Sequence, residues 1–543
     1  MRVARGARAT ALAVGLLAAW PAAALAGGGP VVTLAAQVNA GGAAVTTSLA
    51  CPTVGSCVAG GFYTDASGNH QAFIAQQVDG NWGTVVRLAG ALNLGGNASA
   101  TDISCPGLGS CVAVGFYTDV ADQHQAFLVE ETDGVWGSTQ TTAGVLNAGG
   151  DAVATTVSCA AAGSCVVGGR YRDAAGTQRA FAALETGGAW GEAAQVGGVA
   201  ASGDNASVTA SACPAVGACV VGGSVAAGGN TVAFVDAEHN DLWGKPVDPV
   251  PTSVASSSAI AALACASAQS CAAVGSASTA SGRRAVAVLE TNGTWGAPSV
   301  VAGPGRSAGP TSGTAVACPA PSTCTLVGTV SSSTGATSAF VASETAGTWT
   351  PSHTLAPVAG VAGLVVTDEA PWAVACPSIG SCVATGQLTL AVGGPAAFVA
   401  RQQSGHWGRA LLVAQGDNVG RDAASFILAC DGTGACEIGG RYTDASRHFQ
   451  SFVATAPAFE PVIVVTGVHG TVPASGAANV VIAGSGFFGA VRVRAAGLVL
   501  RVVAVAPTRL VLRVVRSHVA PGRHLLTVVD PDGSSAVTSF VQR

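Results

Sequence analysis

The 543-residue sequence predicts an all-β chain, an eight-bladed β-propeller followed by a smaller β-sandwich, and three observations predict it. Cysteines recur in eight evenly spaced pairs, each period holds four short strand-like segments, and after the last pair valine-rich segments replace the pattern. Composition agrees. Hydrophobic residues reach 49% but aromatics only 5%, with 74 glycines, the balance of many short strands rather than a few bulky cores.

The chain opens with Arg2, Arg5 and Arg8, an apolar run from Ala9 to Trp20, Pro21 and the small-residue site Ala24-Leu25-Ala26. This is the layout of a signal peptide over residues 1–26, with the mature chain starting near Gly27. The run is shorter than the roughly 20 residues a membrane helix needs, so a secreted, extracellular protein with no membrane span is expected. The formal net charge of -5 gives no basis for phosphate-driven binding, and no nucleic-acid partner is expected.

The repeats follow. All 16 cysteines are paired with five residues between partners: Cys51/Cys57, Cys105/Cys111, Cys159/Cys165, Cys213/Cys219, Cys265/Cys271, Cys318/Cys324, Cys376/Cys382 and Cys430/Cys436. A fixed period of this length marks a solenoid or propeller. In the first period, Thr46 to Ala50 leads into Cys51, a five-residue turn returns the chain at Cys57-Val58-Ala59, and this second strand runs into Gly60-Gly61. A third strand carries Phe73. After the turn signal Asp79-Gly80, Trp82 opens a fourth. Such a sheet cannot bury both faces alone, so neighbours must stack on it radially. The eighth repeat keeps its cysteines and Phe452 but has no tryptophan strand, whereas Val31 to Ala35 resembles the fourth strand Val85 to Ala89. The N-terminal segment is therefore expected to complete the last blade, closing the ring over residues 31–456 and removing an exposed edge.

Gly60-Gly61, Tyr63 and Trp82 resemble the kelch pattern, and the stretch from Ser104 to Gly115 resembles cysteine-paired repeats of secreted actinobacterial proteins. The resemblance implies a propeller and names no activity.

Cysteines facing each other across a short turn in an exported chain are expected to form eight local disulfides, each worth about 2 kcal/mol. Metal binding is not expected, because the spacing is too long for a zinc knuckle and no histidine recurs at a fixed offset. No cofactor is expected either. Residues 459–543 hold six short strands, Val462 to Val465, Asn479 to Ala483, Val491 to Arg494, Leu498 to Val505, Leu510 to Val514 and His524 to Val529, which predict a sandwich. Gly484-Ser485-Gly486-Phe487, Pro521-Gly522, Asp530-Pro531-Asp532-Gly533 and Phe540 resemble an IPT/TIG immunoglobulin-like domain, which implies a spacer or adhesion module.

Four repeats differ from the rest. Tyr63, Tyr117, Tyr171 and Tyr442, the only tyrosines, are each followed two residues later by Asp65, Asp119, Asp173 or Asp444, and His70, His124, Arg179, Arg447 and His448 share the same loops. In a closed ring these loops form one patch. It reads as a site for a sugar or polar peptide, or equally as turn-forming aspartates with packing tyrosines. The Glu-Thr pairs Glu131-Thr132 and Glu185-Thr186 read as solvated turn residues, and the tryptophans as core wedges. The function expected from these features is a monomeric, non-catalytic binding or scaffolding propeller recognising a cell-surface glycan or protein. A glycan-active hydrolase or lyase using acids on the propeller face is the alternative, although the Asp-box of sialidases is absent. A quinone-dependent dehydrogenase-like propeller is the second alternative.

Overall fold

A computed structural model describes residues 31–53, 55–197, 205–304, 309–350, 352–355 and 365–457, and in the C-terminal part 464–469, 478–485, 492–495, 498–506, 509–517, 522–529 and 535–542. The expected signal peptide lies outside these residues. Among the described residues, every regular element apart from one 3-10 turn at Gly144–Leu146 is a β-strand.

Repeat one sets the pattern with Ala44–Thr53, Ser56–Thr64 and His70–Val78, which pair consecutively and antiparallel. Asp79 and Gly80 both take positive φ (49° and 79°), so the hairpin turns tightly into the outer strand. That outer strand is two pieces rather than one. Asn81–Trp82 pairs with Val78 and Gln77, then the register slips by one residue before Val86–Arg87 pairs with Ile74 and Phe73. A second bulge lies in the first strand, between Thr46 and Ser48, and it pushes the Val45 carbonyl toward the second strand. Only glycine fits opposite it, since a Cβ on Gly61 would lie 1.9 Å from that oxygen. The same collision would occur at Gly115, Gly169, Gly223, Gly275, Gly328, Gly386 and Gly440. The second glycine of the pair is therefore a packing requirement in all eight repeats.

The seven third-strand phenylalanines, Phe73 through Phe452, are almost wholly buried and form the centre of each sheet-to-sheet layer. The tryptophans do not share that place: Trp82, Trp136, Trp190, Trp243, Trp295 and Trp349 are only half-buried on the short outer strands, and Trp407 alone is buried.

First strands touch first strands all the way round. The contacts run from repeat one to repeat eight and then back to repeat one, through Ala44–Thr53 and Ala424–Cys430. The expected complement is present: Val31–Thr33 pairs antiparallel with Phe452–Ala454 as the outer strand of the eighth sheet. Closure buries Tyr442, Phe452 and Ala454 in one apolar cluster and Val453 with Leu34, Ala35 and Phe73 in the next.

All eight disulfides form within their own hairpins, and no cysteine is free. Cys159 and Cys165 stand directly opposite in register with Cα atoms 4.0 Å apart, the close spacing of a non-hydrogen-bonded antiparallel pair. The two ends of a bridge are not equivalent, a difference that even spacing does not reveal. On the second strand Cys57, Cys111, Cys165, Cys219, Cys271, Cys324, Cys382 and Cys436 are all buried. Their first-strand partners Cys51, Cys105, Cys159, Cys265, Cys318, Cys376 and Cys430 are half-buried, and Cys213 is buried with Cys219. These cysteines are therefore core groups rather than staples at a solvated turn: Cys324 packs with Leu326 and Phe340, and Cys382 with Ala384 and Phe398. Cys271 is covered by Glu290, whose carboxylate accepts from its backbone N–H. Eight such bonds belong to an oxidising, extracellular-type compartment. Among the described residues no helix is long and apolar enough to cross a membrane.

C-terminal strands Val464–His469, Ala478–Ser485, Arg509–Ser517 and Leu498–Ala506 form one sheet, and Arg492–Arg494, Gly522–Val529 and Ser535–Gln542 a second. Val480, Ile482, Leu510 and Leu512 of the first share a core with Leu526 and Val528 of the second. The last strand, Ser535–Gln542, was not among those expected. Gly486, Phe487, Pro521 and Asp530 to Gly533 lie outside the described residues.

Candidate functional site

The four tyrosine loops do come together on one side of the ring, because repeats eight, one, two and three are neighbours. Their side chains are committed inward. Tyr63, Tyr117, Tyr171 and Tyr442 are buried, with rings 6.2–6.4 Å from Phe73, Phe127, Phe181 and Phe452. Burial raises all four phenols. Tyr442 and Thr33 share a hydrogen bond of 2.7 Å between hydroxyls, and the Tyr171 hydroxyl donates to Gln195 at 3.3 Å.

Each aspartate closes its own turn. Asp65 Oδ1 accepts from the Ser67 and Asn69 N–H groups and Oδ2 from the Gln71 amide, all at 2.8–3.0 Å. Asp119 and Asp444 repeat this with Gln125 and Gln450, while Asp173 takes Arg179 Nε instead at 3.1 Å. Slight burial would raise the carboxyls of Asp65, Asp119 and Asp444, but these hydrogen bonds outweigh it and hold them low. In Asp173 the Thr177 N–H bond is the leading cause of the same shift.

The glutamines pass the contact on to the next repeat, through a residue the sequence reading missed. Asn93 Nδ2 donates to the His70 carbonyl (2.9 Å) and to Gln71 Oε1 (3.1 Å), while its Oδ1 accepts from the Thr118 N–H of repeat two. Asn39 joins repeats eight and one in the same way, and Asn147 joins two and three. The signal was available: Asn39, Asn93 and Asn147 each open an Asn-Xaa-Gly-Gly sequence. His70 lies 4.7 Å from the Phe62 ring and His124 5.1 Å from Phe116, with His124 Nδ1 3.3 Å from Asp151. Asp151 is also within 3.6 Å of Arg170 and 3.4 Å of Arg172. His448 packs over Gly42 of repeat one, and Arg447 takes φ 66° at its turn tip. Tyrosine and aspartate here act as packing and turn groups, the second of the two readings above.

A different cluster has unspent chemistry. On the opposite, disulfide side, the residue four positions after the strand-three phenylalanine, or after Val286 in repeat five, is Glu131, Glu185, Glu238, Glu290 or Glu344 in five repeats. These glutamates are buried, not solvated as the sequence implied. In repeats four to six they cap the neighbouring turn: Glu238 accepts from the Cys219 and Asp241 N–H groups, Glu290 from Gly293 and Glu344 from Gly347. One position earlier in the third strand of the preceding repeat stands Gln76, which donates to Glu131; for Glu238, Glu290 and Glu344 that position is held by apolar Leu184, Ala237 and Leu289.

Between repeats two and three it is a second acid, Glu130. Its Oε1 accepts from Trp190 Nε1 at 2.6 Å, and its carboxyl group hydrogen-bonds to that of Glu185. Burial foremost, then the charge and hydrogen bond of Glu130, pushes Glu185 up to about 7. Glu185 is 7% exposed, and its Oε2 has no partner. The pair opens into a cleft of about 310 Å³ floored by the loops of Cys111 and Cys165, and Glu131, itself raised by burial, lines the same cleft. None of the tyrosine-loop residues lines it. Among the described residues no group of three His, Cys, Asp or Glu side chains is arranged to hold a metal ion.

No protein-family model and no curated protein sequence matches the chain. Solved structures do. A post-proline cleaving enzyme from Rickettsia typhi aligns with 74% of this chain at 8% identity and a TM-score of 0.41, the match spanning 57% of that enzyme's length. A Hadza microbial sialidase aligns with 71% of this chain and 73% of its own at 12% identity and a TM-score of 0.31. A xylan beta-1,4-xylosidase from Bacillus halodurans aligns with 77% of this chain and 96% of its own at 9% identity and a TM-score of 0.25. These three are enzymes, not the non-catalytic binding or scaffolding propellers that the sequence led one to expect. Likeness at this level assigns no residue and no substrate.

Proposed function

We propose that the chain is a secreted glycan-active enzyme, an eight-bladed, kelch-like propeller carrying an immunoglobulin-like C-terminal domain, that hydrolyses glycosidic bonds at the Glu130–Glu185 cleft. The observation that supports this most is the break in the repeat pattern: one junction out of eight sets two carboxyl groups against each other in a buried cleft. Like charges in contact cannot both ionise, so one proton is shared, and burial keeps it on Glu185 up to about pH 7. Glu185 is then the general acid to the leaving oxygen. Glu130, oriented by Trp190, hydrogen-bonds to Glu185 and holds that proton in place, and Glu131 of the same cleft is the carboxylate that activates water, since acid and base of an inverting glycosidase stand about 6.5 to 9.5 Å apart rather than in contact. No cationic side chain lines the cleft, which favours a neutral glycan over an anionic one.

The test is release of reducing ends by the purified protein from a panel of neutral polysaccharides and chromogenic glycosides. Turnover is expected to fall along a limb near pH 7 as Glu185 loses its proton, and Glu185→Gln is expected to lose on the order of 10²-fold or more. The reading fails if no neutral glycan is cleaved, or if Glu185→Gln cleaves at the wild-type rate.

A further inference from the structure

The innermost strands carry a second departure from the repeat. At each first-strand bulge one residue is left out of register, and in five repeats it is a threonine: Thr47, Thr101, Thr155, Thr209 and Thr314. Its hydroxyl donates to a carbonyl of the next repeat's first strand, at 2.6–2.8 Å, to Ala100, Ala154, Val208, Ile260 and Pro371 respectively. The ring is stitched by these bonds. In repeats seven and eight the bulged residues are Trp372 and Phe426. They forgo the stitch and stack on each other, ring centroids 4.9 Å apart and 15° from parallel.

Both rings are partly exposed, so they do not simply replace lost core. The Trp372 indole N–H has no hydrogen-bond partner among the described residues. The Arg441 guanidinium lies over the Phe426 ring, 5.7 Å from its centroid, and over the Phe449 ring at 4.2 Å, which leaves the outer face of Trp372 as the open face of the pair. Asp422 lies 3.6 Å from Arg441 and accepts from Gln387 Nε2 at 3.4 Å. The aromatic pair is thus flanked by donors and an acceptor whose charges cancel. A flat apolar face with a neutral polar rim fits a pyranose ring, whose axial C–H groups stack and whose equatorial hydroxyls hydrogen-bond around the edge.

We propose that Trp372 and Phe426, flanked by Asp422 and Arg441, form a binding subsite for neutral β-linked oligosaccharides. The subsite is distinct from the Glu130–Glu185 cleft, and only its ligand class leans on the glycan reading above.

The test is calorimetric titration of the full mature chain with cellohexaose, xylohexaose and chitohexaose. Binding of at least one is expected. Trp372→Ala is expected to weaken it about tenfold, the size of one lost stacking contact with its hydrogen bond, whereas Trp372→Tyr retains most of it. Asp422→Asn keeps the stacked rings, so it tests the rim even where Trp372→Ala does not fold, and weaker binding is expected there too. Glu185→Gln is expected to bind as wild type, which separates loss of turnover from loss of this subsite. Absence of binding to all three probes overturns the proposal, as does wild-type affinity in Trp372→Ala or in Asp422→Asn.

Discussion

Single residues decide what the repeats can do, and the same residue type takes opposite roles on the two sides of the ring. Asp65 is spent on its own turn, while Glu185 is buried against the Glu130 carboxyl with one oxygen unpartnered. Their titrations oppose each other. Folded-state pKa values raised to about 7 for Glu185 and about 6 for Asp102 and Asp236, burial being the main cause in each, mean that the folded chain binds protons more tightly than the unfolded chain. Stability from these groups is therefore lost as pH rises from about 4 through 7. The depressed Asp65, Asp119, Asp173 and Asp444 contribute above the ordinary carboxyl range near ~4 and lose that contribution only below it. Melting temperature is expected to be higher at about pH 5 than at about pH 8, and a scan that rises between those values contradicts the burial of these acids. Asn93→Ala should cost about 2 kcal/mol, because it strands the buried Gln71 and Thr118 partners, as measured by denaturant unfolding. Tyrosine and aspartate were legible as a recurring pair, but their direction was not. Spacing fixes which residues share a loop, and only the strand register fixes that Tyr63 faces Phe73 while Phe62 faces His70.

Elements were far more legible, since strand, turn and cysteine each leave a local mark. The hairpins, the aromatic of the third strand and the eight bridges follow from alternation and spacing alone. What sequence could not show was the one-residue slip in each first strand. That slip requires a glycine on the second strand and turns out Thr47 or Trp372, yet it depends on how two strands pair rather than on either one. The buried glutamates were missed for a similar reason, as was the burial of Cys271, Cys324 and Cys382 on their second strands. A Glu-Thr pair before a turn looks solvated until the adjacent sheet covers it. Each hairpin should behave as a stapled unit: the double variant Cys159→Ala/Cys165→Ala is expected to lose about 2 kcal/mol without changing strand content by circular dichroism. A loss of the whole β signal would mean that one bridge holds more than its own hairpin.

At the scale of the whole molecule, every junction described above presupposes that eight sheets meet in a closed succession. Asn39 joins repeats eight and one only because the N-terminal strand has brought them together, and Glu130–Glu185 is singular only against seven comparable junctions. The pairing can be checked with chemistry the chain already uses. Leu34 donates to the Ser451 carbonyl at 3.2 Å, which makes that pair the hydrogen-bonded kind; by alternation Val31 and Ala454, directly opposite in register, form a non-hydrogen-bonded pair of the kind that accepts a disulfide. Peptide mapping of the oxidised Val31→Cys/Ala454→Cys variant is expected to show a ninth bridge joining residues 31 and 454, in protein that melts no lower than wild type. Two free thiols in a folded chain would place the N-terminal strand elsewhere and open the ring.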